Sequence, residues 1–156
     1  SHAEFTGVTF AGEGQELDTG AKMVHLAPDT TSLITSKSLS KAGGSSIYRS
    51  AIYIGPEAKG SKASVSCDGL MLDNKSRSDT IPAMEIHTDE CAVGHEAKIG
   101  RISGDAIFYL MSRGISEEEA RTMIVSGFAN PVSKELPLEY AVEMNNLIRL
   151  EMKGNM

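Results

Sequence analysis

The densest set of metal-capable side chains in this 156-residue chain lies in the segment Glu85–Glu96, which reads EIHTDECAVGHE. If one strand runs regularly through this segment, Glu85, His87, Asp89 and Cys91 share one face, about 6.5 Å apart for every two residues. At this spacing two such side chains can converge on one ion. Thiolate and imidazole are ligands that suit iron or an iron–sulfur cluster, and a carboxylate can complete a labile site. The competing interpretation is an exposed polar strand face that presents charge to water and binds nothing.

The two cysteines are predicted to be free thiols with different surroundings. Cys91 is either a soft ligand or a small buried side chain, because a thiol packs much like an apolar group. Cys67 follows Val65 in an alternating run that points its thiol inward, which favours core packing. The sequence carries no secretory signal, so we expect a reducing, cytoplasmic compartment rather than a disulfide scaffold.

Two other features are more typical of a structural role than of metal or phosphate binding. His25 lies between Val24 and Leu26 in a strand-like run, where a hydrogen-bonded structural histidine is the usual occupant. Gly12–Gly14 superficially resembles a phosphate loop, but neither a P-loop lysine nor a helix follows it. We therefore expect this chain to bind no nucleotide itself.

Apolar and polar residues alternate with a period of two over most of the chain as far as Ile102, and this pattern predicts strands. The predicted runs lie near residues 6–10, 22–27, 32–39, 46–54, 62–72, 80–87 and 91–100. Met84 and Ile86 take core-facing positions, and Asp68-Gly69 inside a run predicts a bend or bulge. The strands favour a parallel solenoid with one narrow core, and a flattened β-sandwich is the alternative that periodicity does not exclude.

Helices follow, with clear start and stop signals. Ser103 is predicted to cap a first helix that ends at Gly114, and Ser116–Glu119 has the spacing of a capping box. Pro131 is predicted to end the second helix, and Pro137 to lie in the first turn of the third. The predicted division is a β-helix core over residues 1–102 and a helical domain over residues 103–156.

Charge and hydropathy restrict the classes of partner. The formal net charge of −6 argues against nucleic acid, because phosphate binding needs clustered Lys and Arg. The sequence contains no apolar run long enough to span a bilayer, so we expect no membrane insertion.

Several motifs in a fixed order resemble the core and carboxy-terminal region of SufB and SufD, the scaffold subunits of the SUF iron–sulfur cluster assembly system. They are FAGEGQELDTGAKMVHL at 10–26, SVSCDGLML at 64–72, GHEAKIGRIS at 94–103, FYLMSRGISEEEA at 108–120, MIVSGF at 123–128 and ELPLEYAVE at 135–143. The resemblance covers essentially the whole chain after Glu4. The His-Glu-Ala sequence that begins at His95 is closer to SufB than to SufD.

The resemblance implies a mainly β fold with α, namely a right-handed parallel β-helix followed by a carboxy-terminal helical domain. It implies that the helices 103–156 bind a SufC-type ATPase and that two subunits pair through their last β-strands, as a homodimer or a SufB/SufD-like heterodimer. A transient iron–sulfur cluster is then built at the subunit interface. The site residues it implies are His95 and Glu96, while Cys91 and His87 are weaker candidates that the sequence alone suggests.

Two other functions remain open from the residues themselves. One is a structural β-helix adaptor without metal. The other is a carbohydrate-active β-helix enzyme, but such enzymes use aromatic platforms and close acid pairs, and this chain has no Trp and only eight Phe and Tyr. We therefore expect a scaffold protein with no active site of its own.

Overall fold

The computed structural model describes residues 1–153, in two compact units. The first covers Ser1–Gly100, and the second begins at Arg101. The strands are β1 (His2–Ala11), β2 (Glu16–His25), β3 (Thr31–Ser40), β4 (Ser45–Ile54), β5 (Lys62–Met71), β6 (Arg77–Ile86) and β7 (Ala92–Arg101). The helices are α1 (Gly104–Met111), α2 (Glu117–Glu135) and α3 (Leu138–Lys153).

The first unit is a parallel β-solenoid of about three turns, which answers the question that periodicity left open. Odd-numbered strands form one sheet in the order β1-β3-β5-β7, and even-numbered strands form a second sheet in the order β2-β4-β6. The strands pair in parallel and keep one register across the sheet, so that Thr31 lies beside both His2 and Lys62. Each turn of the chain therefore adds one strand to each sheet.

The core lies between the two sheets and is formed by alternate residues of each strand. Inward-facing side chains of β5 include Ala63, Val65 and Cys67, all buried, while Lys62 and Ser64 on either side of Ala63 are exposed. Cys67 is 3% exposed, as its alternation predicted.

Asp68-Gly69 makes neither a bend nor a bulge, contrary to the prediction. Both residues are paired in regular register, Asp68 beside Lys37 and Gly69 beside Ser38. A Cβ on Gly69 would lie 2.5 Å from the Ser78 Oγ of β6. The glycine is needed because the two sheets approach closely here, which local sequence does not reveal.

The helical unit begins as its caps predict. The Ser103 hydroxyl accepts the Ala106 N–H, and Gly114 adopts φ 86° after α1. At α2 the Ser116 hydroxyl accepts the Glu119 N–H while the Glu119 carboxylate accepts the Ser116 N–H, which completes the capping box.

The prediction that Pro131 ends the second helix is wrong, since α2 continues to Glu135. A proline inside a helix costs about 3 kcal/mol because it removes a backbone hydrogen bond and crowds the preceding turn. Tertiary packing offsets this cost: Val132 and Ser133 beyond the proline are buried, and the Ser133 hydroxyl accepts a hydrogen bond from the Asn145 amide of α3.

Candidate metal site at an edge strand

The metal-capable segment is broken by a turn rather than formed by one regular strand. Strand β6 ends at Ile86, residues 87–91 connect, and β7 begins at Ala92. The Thr88 hydroxyl accepts the Glu90 N–H at 3.2 Å, and the Gly60 N–H donates to the Glu90 carbonyl at 2.6 Å. The predicted common face of Glu85, His87, Asp89 and Cys91 therefore does not form.

His87 lies at the start of this turn on the exposed side. Its Nε2 is 2.8 Å from the Glu85 Oε1, and its ring centroid is 5.4 Å from that of Tyr53. Glu85 is paired with Tyr53 across β4 and β6, so the three side chains form one surface group. The imidazole is thus already engaged with a carboxylate and an aromatic ring.

Cys91 lies at the opposite end of the turn and is partly buried. It packs with Val93 against the core of the solenoid, and its Sγ is 3.4 Å from the Thr88 carbonyl oxygen. This is the position that a small apolar side chain would occupy.

His95 and Glu96 are consecutive in β7 and therefore project to opposite faces of the sheet. His95 is on the inner face with Cys91 and Val93, and its buried Nε2 has no hydrogen-bond partner within residues 1–153. A buried ring nitrogen without a partner is costly, and in the neutral tautomer its lone pair is the donor that a metal ion requires.

Glu96 is exposed on the outer face, where its Oε1 is 2.9 Å from the Lys98 Nζ. The hydrogen bond and charge of Glu96 raise the pKa of Lys98. Lys98 was not among the residues that the sequence singled out. The available signal was its spacing of two from Glu96, which puts both side chains on the same face of a strand.

The position of β7 in its sheet leaves one side of this strand open. It is an edge strand, with β5 on one side and no described strand on the other. Backbone groups along such an edge can pair with another chain, while His95 faces the interior and Glu96 is held on the outer face by Lys98.

The part of the chain that the structure describes holds no preformed three-ligand set. Within residues 1–153, no three His, Cys, Asp or Glu side chains lie close enough together to hold one ion. A metal ion bound by His95 and Glu96 would need further ligands from another molecule or from the bound group.

The surroundings of the remaining candidate residues indicate structural roles rather than metal or nucleotide binding. Burial raises the pKa of the Cys67 thiol, and burial raises the pKa of the neighbouring Tyr48 to about 12. A protonated buried thiol is a poor ligand and nucleophile. Gly12–Gly14 lies in the turn between β1 and β2.

His25 is the hydrogen-bonded structural histidine that the sequence predicted. Its Nδ1 is 2.7 Å from the Thr30 Oγ1 and its Nε2 is 2.8 Å from the Ser32 Oγ. Burial lowers the pKa of His25, because the protonated imidazole would lose its hydration.

The described fold is a parallel β-solenoid whose last strand carries His95 and Glu96, the two site residues that the family resemblance implied. Residues 1–128 match the family described as SUF system FeS cluster assembly, SufBD core domain. The chain belongs to this family, as the motifs indicated, and membership supports a role in iron–sulfur cluster assembly.

Two similar proteins are the iron-sulfur cluster assembly SufBD family proteins of Staphylococcus aureus (strain USA300) and Staphylococcus haemolyticus (strain JCSC1435). Each is 57% identical over 148 residues, which is 95% of this chain and 32% of the relative. The chain therefore spans about a third of the length of these curated relatives. Among residues 1–153, none of the helices has the length and apolar character needed to cross a bilayer.

Proposed function

We propose that this chain is part of a scaffold subunit on which an iron–sulfur cluster is assembled at an interface between two subunits. The observation that carries the proposal is the buried Nε2 of His95, which has no partner within residues 1–153 and belongs to an edge strand beside Glu96. The cluster is the cargo of such a scaffold and is bound transiently. The chain itself performs no catalysis and binds no nucleotide.

The incompleteness of the site supports assembly between two chains. Each subunit contributes an imidazole and a carboxylate, and sulfide and a second subunit complete the coordination. Carboxylate ligation suits a scaffold, because a hard oxygen ligand holds iron less firmly than a thiolate and permits release. Cys91 and His87 remain weaker candidates.

The end of the solenoid next to β7 offers the surface for pairing. Inward-facing Met84 and Ile86 of β6 are 42% and 45% exposed, and Ile99 of β7 is also exposed. A second subunit, identical or SufB/SufD-like, would cover this apolar end and the open strand edge together. Light scattering is expected to detect a dimer at micromolar concentration, and a monomer there would contradict self-pairing.

The helical unit carries the proposed docking surface for a SufC-type ATPase. Phe108 is 73% exposed on α1, beside exposed Tyr109 and Met111, and so many exposed apolar groups are typical of a binding surface. Phe108→Glu is expected to abolish co-purification with the ATPase without unfolding the chain. Val24→Glu changes an exposed apolar side chain of the solenoid and should leave binding unaltered.

Anaerobic reconstitution with ferrous iron and sulfide tests the cluster site. His95→Ala and Glu96→Ala are each expected to lower bound iron, bound sulfide and the visible charge-transfer absorption. Glu96→Ala should change thermal stability little, because the Glu96 side chain is exposed. His2→Ala is the matched comparison, because it also removes an imidazole beside a carboxylate, the Glu4 Oε1 at 2.7 Å. Cys91→Ser determines whether the thiol participates.

Full cluster occupancy in the His95→Ala/Glu96→Ala double variant would mean that the site lies elsewhere, and Cys67 would be the next residue to test. The second candidate function is a structural adaptor without metal, which the existing His87–Glu85 and Lys98–Glu96 pairs favour. Failure of the unaltered chain to acquire any cluster would support that alternative.

A further inference from the structure

Three charged residues occupy one position on three neighbouring strands of the odd-numbered sheet. Lys37 of β3 is the register partner of Asp68 of β5, and the Lys37 Nζ is 2.7 Å from the Asp68 Oδ2. The Ala92 N–H donates to the Ser61 carbonyl at 3.0 Å and so continues this register into β7, which puts Lys98 beside Asp68. The outer face thus carries a ladder of alternating charge.

Lys98 ends this ladder and holds Glu96. The Glu96 carboxylate is drawn along the outer face towards the ammonium group, 2.9 Å away, whereas His95 faces the interior. In this arrangement the carboxylate and the imidazole cannot reach the same ion. Glu96 must leave Lys98 and turn around the edge of β7 before both can bind.

We propose that Lys98 is a positioning residue that retains Glu96 on the outer face while the site is empty and transfers its ion pair to Asp68 when Glu96 takes a metal ion. This inference rests on the proposed function of His95 and Glu96. Lys98 never touches the metal and acts only through the carboxylate.

The neighbouring Asp68 lowers the free-energy cost of moving the Lys98 ion pair away from Glu96. A lysine that loses its only carboxylate would leave a charge without a counter-ion, but Asp68 lies beside Lys98 and a carboxylate accepts hydrogen bonds at both oxygens. Lys37 engages Asp68 through Oδ2, and the side chains of Glu96 and Lys98 are 64% and 71% exposed, so both are able to move. Metal binding therefore competes with a weak surface ion pair.

Anaerobic titration of the chain with ferrous ion alone tests the proposal. Lys98→Gln is expected to tighten iron binding about two- to five-fold, since the competing ammonium is gone, while Lys98→Arg should restore a dissociation constant close to the original. Lys59→Gln is the matched control, because it removes the same charge and breaks the exposed Lys59–Glu90 pair of 2.7 Å. That control should leave iron binding unchanged.

A double-mutant cycle separates this effect from a general change in charge. In a Glu96→Gln background, Lys98→Gln should no longer alter iron affinity. If Glu96→Gln weakens binding but Lys98→Gln has no effect, or acts equally in both backgrounds, the role of Lys98 is overturned and the proposed function stands. If Glu96→Gln leaves binding unchanged, Glu96 is not a ligand and both proposals about it fall.

Discussion

The middle of the solenoid and its last turn are built from the same strand pattern but bury it very differently. Ile54 of β4 and Ile86 of β6 are direct register partners and face the same way. Ile54 is completely buried, whereas Ile86 is 45% exposed. Alternation therefore decides which way a side chain points, and the strand stacked above it decides whether it is buried.

The largest expected effect is a difference in stability between these two isoleucines. Ile54→Ala should lower the free energy of unfolding by about 2–5 kcal/mol, because it leaves a cavity in packed core. Ile86→Ala should cost about 1 kcal/mol or less in the monomer, since much of the side chain is already in water. Urea denaturation of the two variants measures both.

The stability costs of Ile86→Ala and Ile54→Ala should also depend differently on protein concentration. If a second subunit covers the last turn, the cost of Ile86→Ala should increase with concentration, because dimerisation stabilises only the folded state. The cost of Ile54→Ala in the middle of the solenoid should not change as much. A cost of Ile86→Ala that is the same at all protein concentrations would contradict coverage of the last turn by a second subunit.

A second comparison uses the glycines of β5 and β7. Gly69→Ala should destabilise the fold by about 1–3 kcal/mol, because the new Cβ meets the Ser78 Oγ of the facing sheet. Gly94→Ala should be nearly neutral, since no atom lies within 4 Å of its added Cβ. Both are measured by thermal unfolding.

The control for the glycine experiment is the double variant Gly69→Ala/Ser78→Ala. Removal of the Ser78 hydroxyl should restore part of the lost stability. A Gly69→Ala variant as stable as the parent would mean that the sheets separate easily at this point.

The smallest expected effect concerns pH and the buried His25. Because burial lowers the pKa of His25, the folded state favours the neutral imidazole. The stability it contributes is complete above the ordinary value of about 6.5 and is lost as the pH falls below that value towards the folded-state pKa. The free energy of unfolding should therefore decline between neutral and mildly acidic pH.

His25→Gln should flatten this part of the pH profile, even though it lowers stability at neutral pH. His87→Gln is the comparison in the last turn of the solenoid, where it makes the same substitution at an exposed imidazole. An unchanged profile in His25→Gln would show that other groups cause the acid sensitivity.

Features that depend on near neighbours in the chain were predicted from sequence. The cap at Ser103, the capping box of Ser116 and Glu119, and the turn at Gly114 each need only three or four consecutive residues. The inward direction of Cys67 followed from a period of two. The opposite faces of His95 and Glu96 follow from the same rule, because adjacent strand residues always diverge.

Tertiary structure decided what depends on distant residues. Pro131 remains inside α2 because Val132 and Ser133 are buried, and Gly69 is needed because Ser78 of the facing sheet comes close. Parallel register, which aligns Lys98 with Asp68, joins residues 30 apart and has no local signature. Local hydrogen bonds and steric limits act within a few residues, whereas packing between strands and helices depends on which distant segments meet.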